Sequence, residues 1–363
     1  MHIAYYISSH GYGHGVRSSD IIRAINRLHP EVNVTITTDL PRSFLESRLG
    51  SGRNTIRPGS FDVGMVQLDS IRVDVPATLE KVKSLYARKN ELIRSESAFL
   101  RESGVSRVVV DIAALPAEAA KAAGLPVFAV GNFAWDWIYG EFAETNPEWL
   151  PLICEFERGY GMVDLLLRLP FAEPMKAFPK IEDIPLVATA GRSRRDELVK
   201  MTGCDPRKKW VLLSFTSLDW DDRALDETER LSDCEFFTVK PLEWRRKNIH
   251  AIDRRMIPFS DVLASADVVV SKPGFGLLSE CVLNRKPLIY AERADFREYH
   301  VLEEGLRRCL KNVHIPAERL YRGELGEALA AIWNQPEPKE SLAAGGDEVA
   351  AGRISDFGIR IVK

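Results

Sequence analysis

Along the first 130 residues, short apolar runs alternate with longer stretches in which apolar and polar residues mix at helical spacing. His2 to Ser8 reads as a strand, about Gly15 to Leu28 as a helix, Asn33 to Thr38 as a strand, and about Leu79 to Ser103 as one long amphipathic helix. Arg107-Val108-Val109-Val110-Asp111 is the next strand, followed by a helix around Pro116 to Ala123, a Gly-Leu-Pro turn and the run Val127 to Val130. Strands this continuously apolar belong in a parallel sheet covered on both faces. Pro170, Pro174, Pro179 and Pro185, with the polar segment Gly191 to Arg195, mark a connection, and the boundary is expected between 187 and 205. A second series follows: Trp210 to Phe215, Glu235 to Val239, Asp267 to Ser271 and Pro287 to Tyr290. The pattern predicts an α/β protein of two Rossmann-like, doubly wound domains, 1–190 and 191–345. A helix is expected in 346–363, free to pack back on the first domain.

At 363 residues the length agrees with two domains, and two domains imply a cleft between them. With 45% hydrophobic and 28% charged residues and no biased tract, the chain is globular and not disordered. A net charge of −3 supplies no basic field for nucleic acid. No stretch approaches the ~18 apolar residues of a membrane span, so membrane contact is expected to be peripheral at most. The start Met1-His2-Ile3-Ala4-Tyr5 is strand-like rather than a signal peptide, and the scattered cysteines lack CxxC spacing, which together point to reduced thiols and a cytoplasmic location.

Four segments carry candidate chemistry, each following a predicted strand, where open α/β sheets bind ligands. Ser8-Ser9-His10-Gly11-Tyr12-Gly13-His14-Gly15-Val16-Arg17 joins the first strand to the first helix. Its glycines allow close backbone approach, its helix start offers unpaired N–H groups to negative charge, and His14 suits proton transfer. Its spacing is GxGxG, which differs from the dinucleotide fingerprint GxGxxG. Ser271-Lys272-Pro273-Gly274-Phe275-Gly276-Leu277-Leu278-Ser279-Glu280 repeats the arrangement in the second half: amides at Gly274 and Gly276 suit a diphosphate, and Glu280 suits a ribose diol. Glu292 to His300, with Asp295 and Glu298, can reach sugar hydroxyls or form an ordinary solvated loop. Asn132, Trp135 and Tyr139 follow the Val127 run, where aromatic density builds either a stacking face for an acceptor or an internal packing surface. Asp111 is a general base or a strand-end cap.

Taken together, AYYISSHGYGHGVRS, VGNFAWDWIYGEF, LLLRLPFAEPM and SKPGFGLLSECVLNRKPLIYAERADFREY resemble the GT-B glycosyltransferases. In particular they resemble the glycosyltransferase-like domain ahead of the sugar kinase in plant L-arabinokinases and, more distantly, the N-acetylglucosamine transferase that makes lipid II. The resemblance implies two Rossmann-like domains facing each other across a cleft, with the acceptor on the first and the nucleotide on the second. It places Gly13 and His14 near the phosphates and acceptor, and Ser214, Phe215 and Thr216 in a phosphate-facing loop. Gly274 and Gly276 then face the diphosphate, Glu280 the ribose, and Asp295 with Glu298 the donor sugar. The chain departs from the better-understood relatives in having Ser214-Phe215-Thr216-Ser217-Leu218 in place of a glycine-rich loop, and it lacks the His-Cys-Gly-Trp signature of plant natural-product transferases.

The expected activity is metal-independent transfer of a sugar from a nucleoside-diphosphate sugar, UDP-sugar foremost, to a hydroxyl acceptor, with no cofactor required. His14 or Asp111 is the base, His14 the better suited near pH 7. Donor contacts are expected from Gly13, Arg17, Ser214, Thr216, Lys272, Gly274, Phe275, Gly276, Ser279, Glu280, Asp295 and Glu298, and acceptor contacts from His10, Asn132 and Trp135. A non-catalytic sugar-nucleotide-binding module and a sugar-nucleotide epimerase or hydrolase remain competing readings. The absence of GxGxxG from the first βα turn weighs against a dehydrogenase, and a P-loop enzyme fails for want of a GxxxxGK(S/T) segment.

Overall fold

The computed structural model describes residues 1–68, 72–292 and 297–356. The chain divides into two compact units, one of Met1–Val66, Asp74–Ala188 and Ala343–Lys363, the other of Gln67–Val73 and Thr189–Leu342. In chain order the strands are β1 (His2–Ile7), β2 (Asn33–Thr37), β3 (Arg53–Arg57), the short pair β4 (Val66–Gln67) and β5 (Val73–Asp74), β6 (Arg107–Asp111), β7 (Val127–Gly131), β8 (Leu165–Arg168) and β9 (Ile181–Asp183). Then come β10 (Lys209–Ser214), β11 (Cys234–Val239), β12 (Ile249–Ile252), β13 (Val268–Ser271), β14 (Leu288–Ala291) and β15 (Asn312–Ile315).

The first unit is built on a parallel seven-stranded sheet in the order β3-β2-β1-β6-β7-β8-β9. A parallel six-stranded sheet in the order β12-β11-β10-β13-β14-β15 organises the second. Both orders are those of doubly wound folds, as the alternating pattern predicts. Consecutive residues such as Val108, Val109 and Val110, or Val268, Val269 and Val270, are fully buried although they point to opposite faces, because helices cover both sides. The strand order reverses between β1 and β6 in the first unit and between β10 and β13 in the second. At such reversals the connections leave in opposite directions and the strand ends lie open.

The amphipathic stretch predicted as one helix over 79–103 is two, Val75–Ala87 and Lys89–Glu102, because Arg88 takes φ −98° and ψ 7° and interrupts the ladder. The helix Gly346–Asp356 joins the first unit: Ala350, Ala351 and Ile354 sit in one apolar cluster with Ile21, Ile25 and Val187. Arg107 donates to the Ile354 and Ser355 carbonyls at the end of this helix. Among the described residues, no helix is long and apolar enough to cross a membrane.

A Cβ on Gly346 would stand 2.1 Å from the Pro185 carbonyl oxygen. Gly346→Ala is therefore expected to push the last helix off its seat and destabilise the first unit by about 1–3 kcal/mol, read as a lowered urea midpoint.

Candidate functional site

At the reversal point of the first unit, β1 hands over through Ser8-Ser9-His10-Gly11 to the helix Tyr12–Leu28, and its neighbour β6 ends on Asp111. The helix starts earlier than the hydrophobic pattern suggests, at Tyr12, with Gly11 as N-cap. No side chain caps it and no acidic residue lies in its first turn. A Cβ at Gly11 or Gly13 would meet nothing within 4 Å, so these glycines open onto empty space, whereas one at Gly15 would strike Leu40 and Phe44 at 2.6 Å. The first two leave room for a ligand, and the third serves packing.

Asp111 has no exposed surface. Its Oδ2 accepts from Arg17 Nε at 3.0 Å and from Ser18 Oγ at 2.8 Å, and its Oδ1 accepts from Arg17 Nη2 and lies 2.8 Å from His14 Nδ1. His14, Arg17 and Ser18 stand at i, i+3 and i+4 on one helix face, a spacing that aims all three at the end of β6. Burial alone would raise the Asp111 pKa. The Arg17 guanidinium and the His14 ring overcome it and hold the carboxyl well below the usual carboxylate range. Arg17 Nη1 also donates to Asn132 Oδ1 at 2.7 Å, and Asn132 Nδ2 to the Pro170 carbonyl at 2.5 Å. The structure thus brings His14, Arg17, Asp111 and Asn132 into one network. Arg17, expected among the donor contacts, is buried with its guanidinium bonded to Asp111 and Asn132.

His10 is tied differently. Its Nδ1 accepts the Met65 N–H at 3.1 Å, and its ring lies 6.3 Å from that of His14 and 5.3 Å, edge to face, from Trp135. Trp135, read as a stacking face for an acceptor, is only 1% exposed. Its indole packs against Phe133 and Tyr139 and donates through Nε1 to Asp62 Oδ2 at 3.0 Å. Asp62 escapes the sequence reading altogether. It lies in the motif-free stretch Pro58-Gly59-Ser60-Phe61-Asp62-Val63-Gly64, whose clue is its concentration of turn residues. Gly64, at φ +67°, packs where a Cβ would come within 2.4 Å of the His10 ring. Burial, with the Asp111 charge adding to it, pushes the Asp62 carboxyl up despite hydrogen bonds from Ser8 and Trp135 and the nearby His14 ring.

At the reversal point of the second unit, β10 ends on Ser214 and β13 on its register partner Ser271, whose Oγ donates to the Ser214 carbonyl at 2.6 Å. Beyond Ser214, Phe215 turns into the core while Thr216 and Ser217 are exposed. The helix Phe275–Leu283 follows β13 with Gly274 as N-cap, again without a side-chain cap or an acidic first turn. A Cβ on Gly274 would meet nothing within 4 Å. Lys272 is half-buried, and Phe275, Gly276, Ser279 and Glu280 lie on this helix, with Phe275, Ser279 and Glu280 buried. Glu298, also buried, opens the helix Glu298–Cys309, while Asp295 lies outside the described residues. Among the described residues, no group of three or more His, Cys, Asp or Glu side chains stands ready to hold a metal ion.

No family model matches the chain. It is 29% identical over 323 residues to the L-arabinokinase of Arabidopsis thaliana, covering 88% of this chain but only 30% of the relative's length. Among solved structures, a UDP-glucosyltransferase from Polygonum tinctorium shares 17% identity at a TM-score of 0.60, over 98% of this chain and 92% of its own. A UGT transferase from Siraitia grosvenorii in complex with UDP shares 13% at 0.60, over 99% and 100%. Likeness this complete at such low identity is likeness of fold, and the two parallel doubly wound sheets of this chain are those of the GT-B glycosyltransferases.

Proposed function

We propose that the chain transfers a sugar from a nucleoside-diphosphate sugar, with UDP the first candidate, to a hydroxyl acceptor, the second unit binding the donor and the first supplying the base. The observation that carries this reading is the bond between His14 and the buried, ionised Asp111 at a strand-order reversal. His14 Nδ1 lies 2.8 Å from Asp111 Oδ1 and 2.9 Å from Arg17 Nη2; this reading requires the Nδ1 proton to point at the carboxylate, which leaves Nε2 as the acceptor nitrogen. The acceptor hydroxyl gives its proton to Nε2, its oxygen attacks the anomeric carbon, and the bond from that carbon to the diphosphate oxygen breaks. Asp111 stabilises the imidazolium and fixes the ring, a role that agrees with its depressed pKa, whereas a carboxylate so reluctant to take a proton makes a poor base itself. Arg17, Ser18 and Asn132 keep Asp111 in place.

The departing diphosphate carries negative charge, and stabilising such charge is usually the largest contribution to catalysis. The uncapped helix start at Gly274, with the Gly276 amide and Lys272, is suited to that task, and Ser214, Thr216 and Ser279 are suited to the remaining phosphate oxygens. This accounts for the leaving group without a metal ion. Glu280 is proposed to take the ribose, and Asp295 with Glu298 the donor sugar. Two solved structures of this fold are named for UDP and another is a complex with dTDP, which supports a pyrimidine nucleoside diphosphate as the donor's leaving group.

His14→Ala is expected to lower kcat by about 100-fold or more while nucleotide binding persists, read by product formation from a panel of UDP-sugars and polyol acceptors. Unchanged turnover would remove His14 from the chemistry. Nucleotide binding by the wild type without acceptor-dependent product would favour a binding module, and release of free sugar or a changed epimer would favour a hydrolase or epimerase.

A second expectation concerns pH. The folded Asp111 carboxyl binds its proton less readily than the unfolded one, so this group stabilises the fold above the unfolded pKa of about 4 and loses that contribution as pH falls further. Asp111→Asn should weaken the fold at neutral pH and flatten the decline of stability in acid, measured by denaturation from pH 7 to 3.

A further inference from the structure

The residue after Asp111 is Ile112, and its φ is +56°. A β-branched residue takes up this left-handed conformation only where its surroundings hold it there. Two features do so. The Ile112 carbonyl accepts a hydrogen bond from the Tyr160 hydroxyl at 2.7 Å, and the Ile112 Cγ2 fills the place a side chain on Gly131 would need, 2.5 Å from where its Cβ would stand. Gly131 ends β7 and is followed by Asn132, the partner of Arg17.

Tyr160 is the last residue of the helix Trp149–Tyr160 and is fully buried, its ring stacked on Phe178 with centroids 4.8 Å apart. Its hydroxyl also accepts the Trp135 N–H at 3.2 Å, at the start of the helix whose indole holds Asp62. The preceding Gly159 lets this helix end come close: a Cβ there would stand 2.9 Å from the Ala114 Cβ. One buried phenol oxygen thus ties the peptide beside Asp111 to the backbone N–H of Trp135.

We infer that Tyr160 is a positioning residue for the base: by holding the Ile112 peptide left-handed it fixes where β6 delivers the Asp111 carboxylate, and through Asp111 it fixes the His14 ring. This rests on His14 serving as the base, as proposed above. A tyrosine serving only the core would need its ring, whereas the positioning role needs its oxygen. It also predicts a particular rescue, since glycine adopts φ +56° without a steric penalty and makes the tie dispensable.

The test compares wild type, Tyr160→Phe and Tyr160→Phe/Ile112→Gly as full chains, with circular dichroism confirming the fold. The His14 imidazole is followed by proton–nitrogen correlation spectroscopy, its signals assigned with His14→Gln. Tyr160→Phe is expected to move the His14 signals and to lower kcat by about 10- to 100-fold, with donor KM held within roughly twofold. Ile112→Gly in that background is expected to return the signals and most of the turnover. Should Tyr160→Phe not fold, Phe178→Leu, which keeps the phenol but loosens its ring, is expected to move the same signals. Unmoved His14 signals in the folded variant, or a loss that the glycine leaves intact, would overturn the proposal. If the wild type transfers no sugar, the transferase reading fails by itself and the spectra alone decide the role of Tyr160.

Discussion

A carboxylate with no exposed surface is the constraint around which the first unit is arranged. Left alone, Asp111 would cost several kcal/mol or surrender its charge. Instead Arg17 and Ser18 donate to it and the His14 ring lies against it. Those three residues come from one face of the first helix, and they reach Asp111 because β1 and β6 are neighbours although 97 residues separate His14 from Asp111. The network continues through Asn132 to the loop at Pro170. Fold and site therefore share a cause: the reversal of strand order opens the strand ends, and the carboxylate placed there dictates what the adjoining helix must present.

The second unit solves a different electrostatic problem. Its reversal point has a helix start with no capping side chain, preceded by a glycine with open space around it. Such a start has N–H groups and a partial positive charge to offer an anion. The division of labour proposed above, a base in one unit and a diphosphate in the other, rests on this contrast between a hydrogen-bonded buried carboxylate and a helix start without a side-chain cap.

Much of the fold was legible because the central strands are apolar on both faces: Val108 to Val110 and Val268 to Val270 leave little room for another reading. The strands that went unread include β3, β9, β12 and β15, which are the four edges of the two sheets. Edge strands are covered less completely and tolerate polar residues, as in Arg53-Asn54-Thr55-Ile56-Arg57, so periodicity loses its grip there. The interior strand Leu165–Arg168 also went unread, since a short run of leucines suits a buried helix as well as a strand. At the site, the residue types at strand ends named His14 and Asp111 but set them apart as rival bases, since nothing local in sequence reports a contact across 97 positions. The same blindness hid Asp62, its bond to Trp135, and the bonds from Arg17 to Asp111 and Asn132.

Calorimetric titration of the purified chain with UDP, dTDP and their sugar conjugates, wild type beside Glu280→Ala, tests the central claim most directly. The account predicts selective uptake of one nucleotide sugar, weakened by the substitution and adding about 2.7 kcal/mol of stability at 100 times its Kd. Uptake of none of these nucleotides would contradict the donor site, and with it the transfer reaction built upon it.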